Sequence, residues 1–178
     1  MTANAMGTLD WRPATGRADL LADPVAAAIG RRPEAKVAEI DPGLADTAAF
    51  CERYGVPLEA SANCVIVAAK RGGEVAYAAC MILATDRADV NGVIRKHLGA
   101  RKASFAPMAD ATSLTSMEYG GITPVGLPAG WPVLVDEAVA AAPQVVIGSG
   151  LRRSKLLLPG KSVADLPGAE VLALALAH

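Results

Sequence analysis

Two apolar runs near the middle of the chain, Cys64 to Ala69 and Val75 to Leu83, flank the polar stretch Lys70-Arg71-Gly72-Gly73-Glu74. Each run has the length of a strand, and a short link with two glycines favours a tight reversal, so the pair predicts a β-hairpin. The runs are almost unbroken in apolar residues rather than alternating, which places both faces of the hairpin in the interior. Ahead of it, Leu20 to Ile29 is alanine-rich and stops at Gly30, predicting a short helix. Ala35 to Ile40 predicts a strand. Asp41-Pro42 then supplies an N-cap and a proline at the first helical position, with Leu44, Ala48 and Cys51 sharing a helical face as far as Gly55.

Beyond the hairpin, Asp89 opens a second helix in which Val90, Val93, Ile94, His97 and Leu98 share a face, with Gly99 as its stop. Lys102 to Ala106 predicts a strand and Ala109 to Met117 a short polar helix. The segment from Glu118 to Pro128 holds too many glycines and prolines for either regular structure. Strands follow at Trp131 to Val135, Gln144 to Ile147 and Ser154 to Leu158, with a helical turn at Asp136 to Ala142 and a last short helix at Ser162 to Leu166. Strands outnumber helices and are joined mostly as hairpins. The expected class is α+β, a single domain with one mixed or antiparallel sheet curled toward a barrel and flanked by helices.

Composition narrows the function. A chain of 178 residues with 52% apolar content fills one core, and its formal net charge of −1 excludes a protein held on nucleic acid by a broad basic field. Any nucleic-acid contact must therefore be local. An aromatic content of 4% argues against stacking of successive bases on aromatic platforms. Cys51, Cys64 and Cys80 sit in apolar surroundings without a C-x-x-C pair, so they are expected as core thiols in a reducing compartment. The two histidines, His97 and His178, are too few for a His-based metal centre, and neither metal nor cofactor is expected. Met1 to Gly16 lacks the basic-then-apolar order of a targeting signal, and no apolar run approaches the roughly 20 residues of a membrane span. The expectation is a soluble, cytoplasmic protein with no membrane partner.

Two glycine-bearing loops carry the candidate chemistry. In Gly120-Gly121-Ile122-Thr123-Pro124 the glycines let main chain approach a ligand, and Pro124 stiffens the loop. Gly148-Ser149-Gly150 is the second loop, followed by the basic residues Arg152, Arg153 and Lys155, which are candidates for phosphate contact. The other basic cluster, Arg95, Lys96, His97, Arg101 and Lys102, lies at a helix C-terminus, where cations are favourable for the helix itself. Asp136 ends a strand, where it can orient a substrate amino group or cap the turn that follows. Ser149 has no G-x-S-x-G setting and no base nearby in sequence, so it is not read as a nucleophile.

Taken in order, Gly55-Val56-Pro57, the strand at Cys64, Lys102-Ala103-Ser104-Phe105-Ala106, the loop Gly120 to Gly126, Val135-Asp136-Glu137 and Val145 to Gly150 resemble the YbaK/prolyl-tRNA synthetase-associated editing family. The resemblance runs from roughly residue 44 to residue 167, leaving 1–40 as an N-terminal extension before an editing domain over 41–178. It implies a free-standing deacylase acting on mischarged tRNA, commonly prolyl-tRNA carrying alanine or cysteine. The implied partners are the tRNA acceptor end and an aminoacyl-tRNA synthetase.

An aminoacyl ester is already activated, so such a protein must supply a pocket, backbone donors for the oxyanion, and orientation of a water that the vicinal ribose hydroxyl helps to position. The implied reacting-centre set is Asn63, Gly120, Gly121, Pro124 and Asp136, with Ser61, Thr123, Gly148, Ser149 and Gly150 lining the pocket and Arg152, Arg153 and Lys155 on the tRNA.

One position departs from the family pattern. Alignment on Gly55-Val56-Pro57 and Val65-Ile66-Val67 puts Asn63 where the family carries a lysine that contributes to catalysis and binding. Asparagine offers a neutral donor and acceptor but no charge. Altered specificity within the family and a catalytically silent module that binds tRNA or protein are both compatible with that exchange. Apart from that exchange, a third reading is a hydrolase of small esters or acyl nucleotides that uses the same pocket without tRNA.

Overall fold

The computed structural model describes residues 6–176, so residues 1–5 of the expected N-terminal extension, together with Ala177 and His178, lie outside it. In chain order the elements are β1 (Arg12–Pro13), α1 (Asp23–Ala28), β2 (Lys36–Glu39), α2 (Thr47–Tyr54), β3 (Ala62–Arg71) and β4 (Glu74–Leu83). Then come α3 (Arg95–His97), β5 (Lys102–Phe105), α4 (Met108–Thr115), β6 (Val133–Asp136), α5 (Glu137–Ala141), β7 (Val145–Gly148), β8 (Ser154–Leu158), α6 (Gly160–Val163) and β9 (Ala169–Leu172).

The strands form two sheets rather than the single one expected. One runs β1-β2-β8-β7 and the other β5-β3-β4-β6-β9. They touch at a parallel bridge between Ser61 and Val146, at the head of β3. The class is α+β as the sequence predicts, but the described strands do not close into a barrel. The expectation of mostly hairpin connections fails in the larger sheet, where β4 with β6 and β6 with β9 pair in parallel.

The central hairpin is as the pattern predicts. It is paired from Ala62 with Leu83 to Arg71 with Glu74, and Gly72 and Gly73 make the turn at φ of 58° and 82°, a region where residues with a Cβ are strained. Both of its faces are buried against different partners. Ile66, Ala79 and Met81 join the core between the sheets with Val145, Ile147, Leu156 and Leu158. Val67, Cys80 and Ile82 face a second cluster with Val90, Ile94 and Leu174.

Residues 12–39 are integrated with this frame. β2 runs antiparallel to β8 over its whole length, and Leu20, Val25 and Ile29 enter the main core.

Helix boundaries differ where side chains act as caps. Asp41 caps only a single 3-10 turn (Pro42–Leu44) by accepting from the Gly43 N–H at 2.9 Å, and α2 starts later, after Asp46. Asp89 accepts from the Gly92 and Val93 N–H groups, so the predicted second helix begins there, but its first turn is wound as a π-helix over Val90–Ile94. The last helix is displaced to Gly160–Val163, because Pro159 supplies its start.

Candidate active site

Where the two sheets meet, a cavity of about 230 Å³ opens, bounded by three walls and a floor. Ser61, Asn63 and Cys64 at the head of β3 form one wall, and Ala45, Asp46 and Thr47 at the start of α2 form the next. Tyr119, Gly120 and Ile122 of the glycine loop close the third side with Met108, while Gly148 of β7 and Lys155 of β8 form the floor. The Asn63 amide oxygen accepts from the Thr47 hydroxyl at 2.6 Å, which fixes the side chain and leaves its NH2 group for the cavity. The Gly120 N–H has no acceptor among the described residues and lies on the cavity wall. Tyr119 and Met108, both about half exposed, rim the opening.

The two glycine loops pack main chain on main chain. A Cβ on Gly148 would meet the Gly121 carbonyl oxygen at 2.5 Å, and one on Gly121 would meet Leu151 backbone at 2.7 Å. The Gly150 N–H donates to the Gly121 oxygen at 2.6 Å, and the Gly121 N–H donates to the Glu118 oxygen at 2.9 Å. Gly121 therefore shapes the site through close packing and has no free donor for substrate. Arg152 locks the assembly from outside, donating to the Tyr119 oxygen and to the Pro42 oxygen at 3.0 Å each.

Residues 41–166 match the aminoacyl-tRNA editing domain family. The chain belongs to that family. The editing fold recurs in solved structures of low identity. One is described as a candidate trans-editing enzyme for prolyl-tRNA synthetase (22% identity, TM-score 0.75, covering 88% of this chain and 97% of that one). Another is a hypothetical protein (20% identity, TM-score 0.76, covering 86% and 99%), and a third is a scaffold from epitope backbone grafting (22% identity, TM-score 0.75, covering 88% and 97%). No curated protein matches the sequence.

Of the residues singled out from sequence, the editing-domain cavity gathers Ser61, Asn63, Gly120, Gly148 and Lys155, but not the others. Pro124 lines a separate cavity of about 550 Å³ on the far side of its loop, beside Trp131. Thr123 is fully buried, and its hydroxyl has no hydrogen-bond partner among the described residues. Ser149 ties the turn between β7 and β8, donating to the Leu151 and Ser154 carbonyls, while Gly150 packs on Ala22. Asp136 is 2% exposed and divides its carboxylate between the Ala138 N–H (3.2 Å) and the Leu174 N–H (2.8 Å). Its capping role is the one the structure shows, and neither oxygen reaches the cavity. Arg153 donates to the Asp19 carbonyl.

Lys155 is the largest departure from the sequence expectation. Instead of lying on the surface beside Arg152 and Arg153, it is 7% exposed on the cavity floor, with its ammonium donating to the Ala45 carbonyl at 2.9 Å. The Phe50 ring lies 5.3 Å away. Burial pushes its pKa down to about 8, with Arg152 adding to the fall and Cys51 and Asp46 opposing it.

The thiols are poor nucleophiles here. Burial raises all three, Cys80 to about 12, and Cys64 on the wall is raised further. His97 lies outside the cavity lining, 3.3 Å from Glu170. Asp46, Thr47 and Tyr119 escaped the sequence reading. The Asp-Thr pair ahead of an alanine-rich run is a helix-start signal that could have drawn attention to two of them.

Proposed function

We propose that this chain is an aminoacyl-tRNA deacylase that hydrolyses the ester of tRNA mischarged with a small amino acid, prolyl-tRNA-type substrates foremost. The observation that carries this reading is the cavity itself, in a chain of the editing family. At about 230 Å³ it is smaller than the ~300–1,000 Å³ sites that take drug-sized ligands, and Asn63, Thr47, Ser61 and the free Gly120 N–H supply polar groups on its wall. That suits an acyl group inserted from a nucleic acid that stays outside. The exposed Tyr119 ring at the rim offers a face for the terminal base. Action in trans is supported by the likeness to the candidate trans-editing enzyme, which this chain covers almost completely.

The chemistry asked of the protein is modest. With raised thiols and no histidine among the described residues of the wall, the nucleophile is water. Asn63, held by Thr47, orients the water or the acyl group, and the Gly120 N–H donates to oxygen on the ester. The protein would gain discrimination of about 1–3 kcal/mol per methylene from the cavity's size.

The test is hydrolysis of tRNAs carrying alanine, cysteine, serine or 2-aminobutyrate by wild type, Asn63→Ala and Thr47→Val. Wild type should turn over at least one ester. Removing the wall donor in Asn63→Ala should lower kcat about 10²-fold, as for loss of a transition-state donor, and Thr47→Val should lower it less. A silent binding module would bind the charged tRNA and release no amino acid.

A further inference from the structure

We propose that Lys155 is the charged group of this site, its ammonium holding the ester carbonyl oxygen as that oxygen takes on negative charge. The inference rests on the deacylase reading and assigns the electrostatic part of it to a residue that the sequence placed on tRNA phosphate. Three observations support it.

First, Lys155 lines the cavity and is almost fully buried, yet no described carboxylate forms an ion pair with it. Its ammonium donates to one acceptor, the Ala45 carbonyl, and has capacity for two more hydrogen bonds. A buried cation with no carboxylate in contact is costly, and that cost is expected where an anion develops during function. Second, its position at the floor makes it reachable only by what enters the cavity. A cavity of about 230 Å³ has room for an acyl group, whose carbonyl would come inward, and not for a strand of nucleotides, whose phosphates would remain outside. Third, the charges of the cavity are ordered. Asp46 lies on its wall and is exposed, and its side chain makes no capping bond to α2. An aminoacyl ester carries a cationic amino group that is repelled by Lys155 and attracted by Asp46. The two residues thereby set the direction in which the acyl group enters.

The step balances as an ester hydrolysis. Water oxygen adds to the carbonyl carbon, and the π pair of the C=O bond moves onto oxygen beside the Lys155 ammonium. The intermediate then re-forms C=O and breaks the bond to the ribose 3′-oxygen, which takes the proton lost by the water through the vicinal hydroxyl. Lys155 stays protonated throughout.

The groups facing it are Asp46, the Phe50 ring and Cys51 from the α2 side, the Ala45 carbonyl, and Arg152 from the turn before β8. Since the ammonium is the working form and its pKa is lowered to about 8, enzymatic kcat/KM should decline as pH rises through that region. A general base would give the opposite slope.

The experiment compares wild type, Lys155→Met and Lys155→Arg in three readouts. One is hydrolysis of alanyl-tRNA against pH, corrected for spontaneous loss. The second is binding of two stable adenosine 3′-linked alanine analogues, a neutral amide and an anionic phosphonate. The third is thermal stability. The expected results are a kcat loss of about 10²-fold or more in Lys155→Met, partial rescue by Lys155→Arg with the alkaline decline moved upward, and phosphonate binding at least tenfold weaker in Lys155→Met with amide binding unchanged. Lys155→Met should melt no lower than wild type, since it removes a buried charge. Equal phosphonate binding by wild type and Lys155→Met, or wild-type activity that rises through pH 8, would overturn the inference. Absence of turnover by wild type with Lys155-dependent phosphonate binding would remove the deacylase reading and leave the anion site standing.

Discussion

Thr123 shows at the level of one side chain how a plausible site residue differs from a working one. It lies in the glycine loop, yet it is fully buried and its hydroxyl has no partner, while the cavity wall next to it is formed by Gly120 and Ile122. A buried hydroxyl without a hydrogen bond costs about 1–3 kcal/mol relative to an apolar group of the same shape. Thr123→Val should therefore stabilise the protein by about 1 kcal/mol, measured by denaturant unfolding, and leave deacylation unchanged. A loss of stability or of activity would show that the hydroxyl has a role in the native state. Residue types that suit ester chemistry were legible in the sequence, but which of them face one space was not. By position Asp136 suits a substrate amino group and a helix cap equally well, and only its tertiary contact with the Leu174 N–H occupies its second oxygen. The neighbours Arg152 and Arg153 make Lys155 look like part of a basic surface, whereas it is buried. The signal against that was Lys155-Leu156-Leu157-Leu158, where a lone lysine in an apolar strand shares its face with Leu157, which packs with Phe50.

At the level of elements, the site depends on two glycine loops fitting against each other. The atoms nearest a Cβ at Gly148 are the carbonyl oxygens of Gly121 and Ile122, at 2.5 and 2.6 Å, and neither can swing away as a side-chain tip could. Gly148→Ala should thus cost roughly 1–3 kcal/mol, toward the upper end, and reduce activity more than stability, because the displaced loop carries Gly120 and Tyr119. Denaturation midpoints beside kcat/KM check this, and wild-type behaviour in both would mean the loops are not in close contact. The central hairpin could be read with its turn because its contacts are local and its glycines name the conformation. Strand β9 and the two parallel pairings could not. Their partners lie far away in sequence, and Ala169–Leu172 is a half-exposed edge without a strong apolar pattern.

For the whole molecule, the family match begins at residue 41, while the core does not. Val25, Ile29 and Val37 are each no more than 3% exposed, and β2 covers the outer side of β8, the strand that carries Lys155. Removing residues 1–40 should leave Leu156 and Leu158 uncovered and β8 as an exposed edge, so the shortened chain should be insoluble or lack a cooperative melting transition. A soluble, cooperatively melting fragment over 41–178 would show instead that the earlier segment is an addition to a self-sufficient domain. Among the described residues no helix is long and apolar enough to cross a membrane. The α+β class followed from counting strands and helices. The meeting of two sheets at Ser61 and Val146, which creates the cavity, is a tertiary event that no local pattern encodes.

The most direct measurement is release of amino acid from alanyl-tRNA and prolyl-tRNA of the proline isoacceptor, with the 178-residue chain at catalytic concentration. The account predicts multiple turnovers on the alanyl ester, slower hydrolysis of the prolyl ester, and a kcat about 10²-fold lower in Asn63→Ala. Charged tRNA that is bound yet persists at its spontaneous decay rate would contradict it and make the cavity a binding site alone.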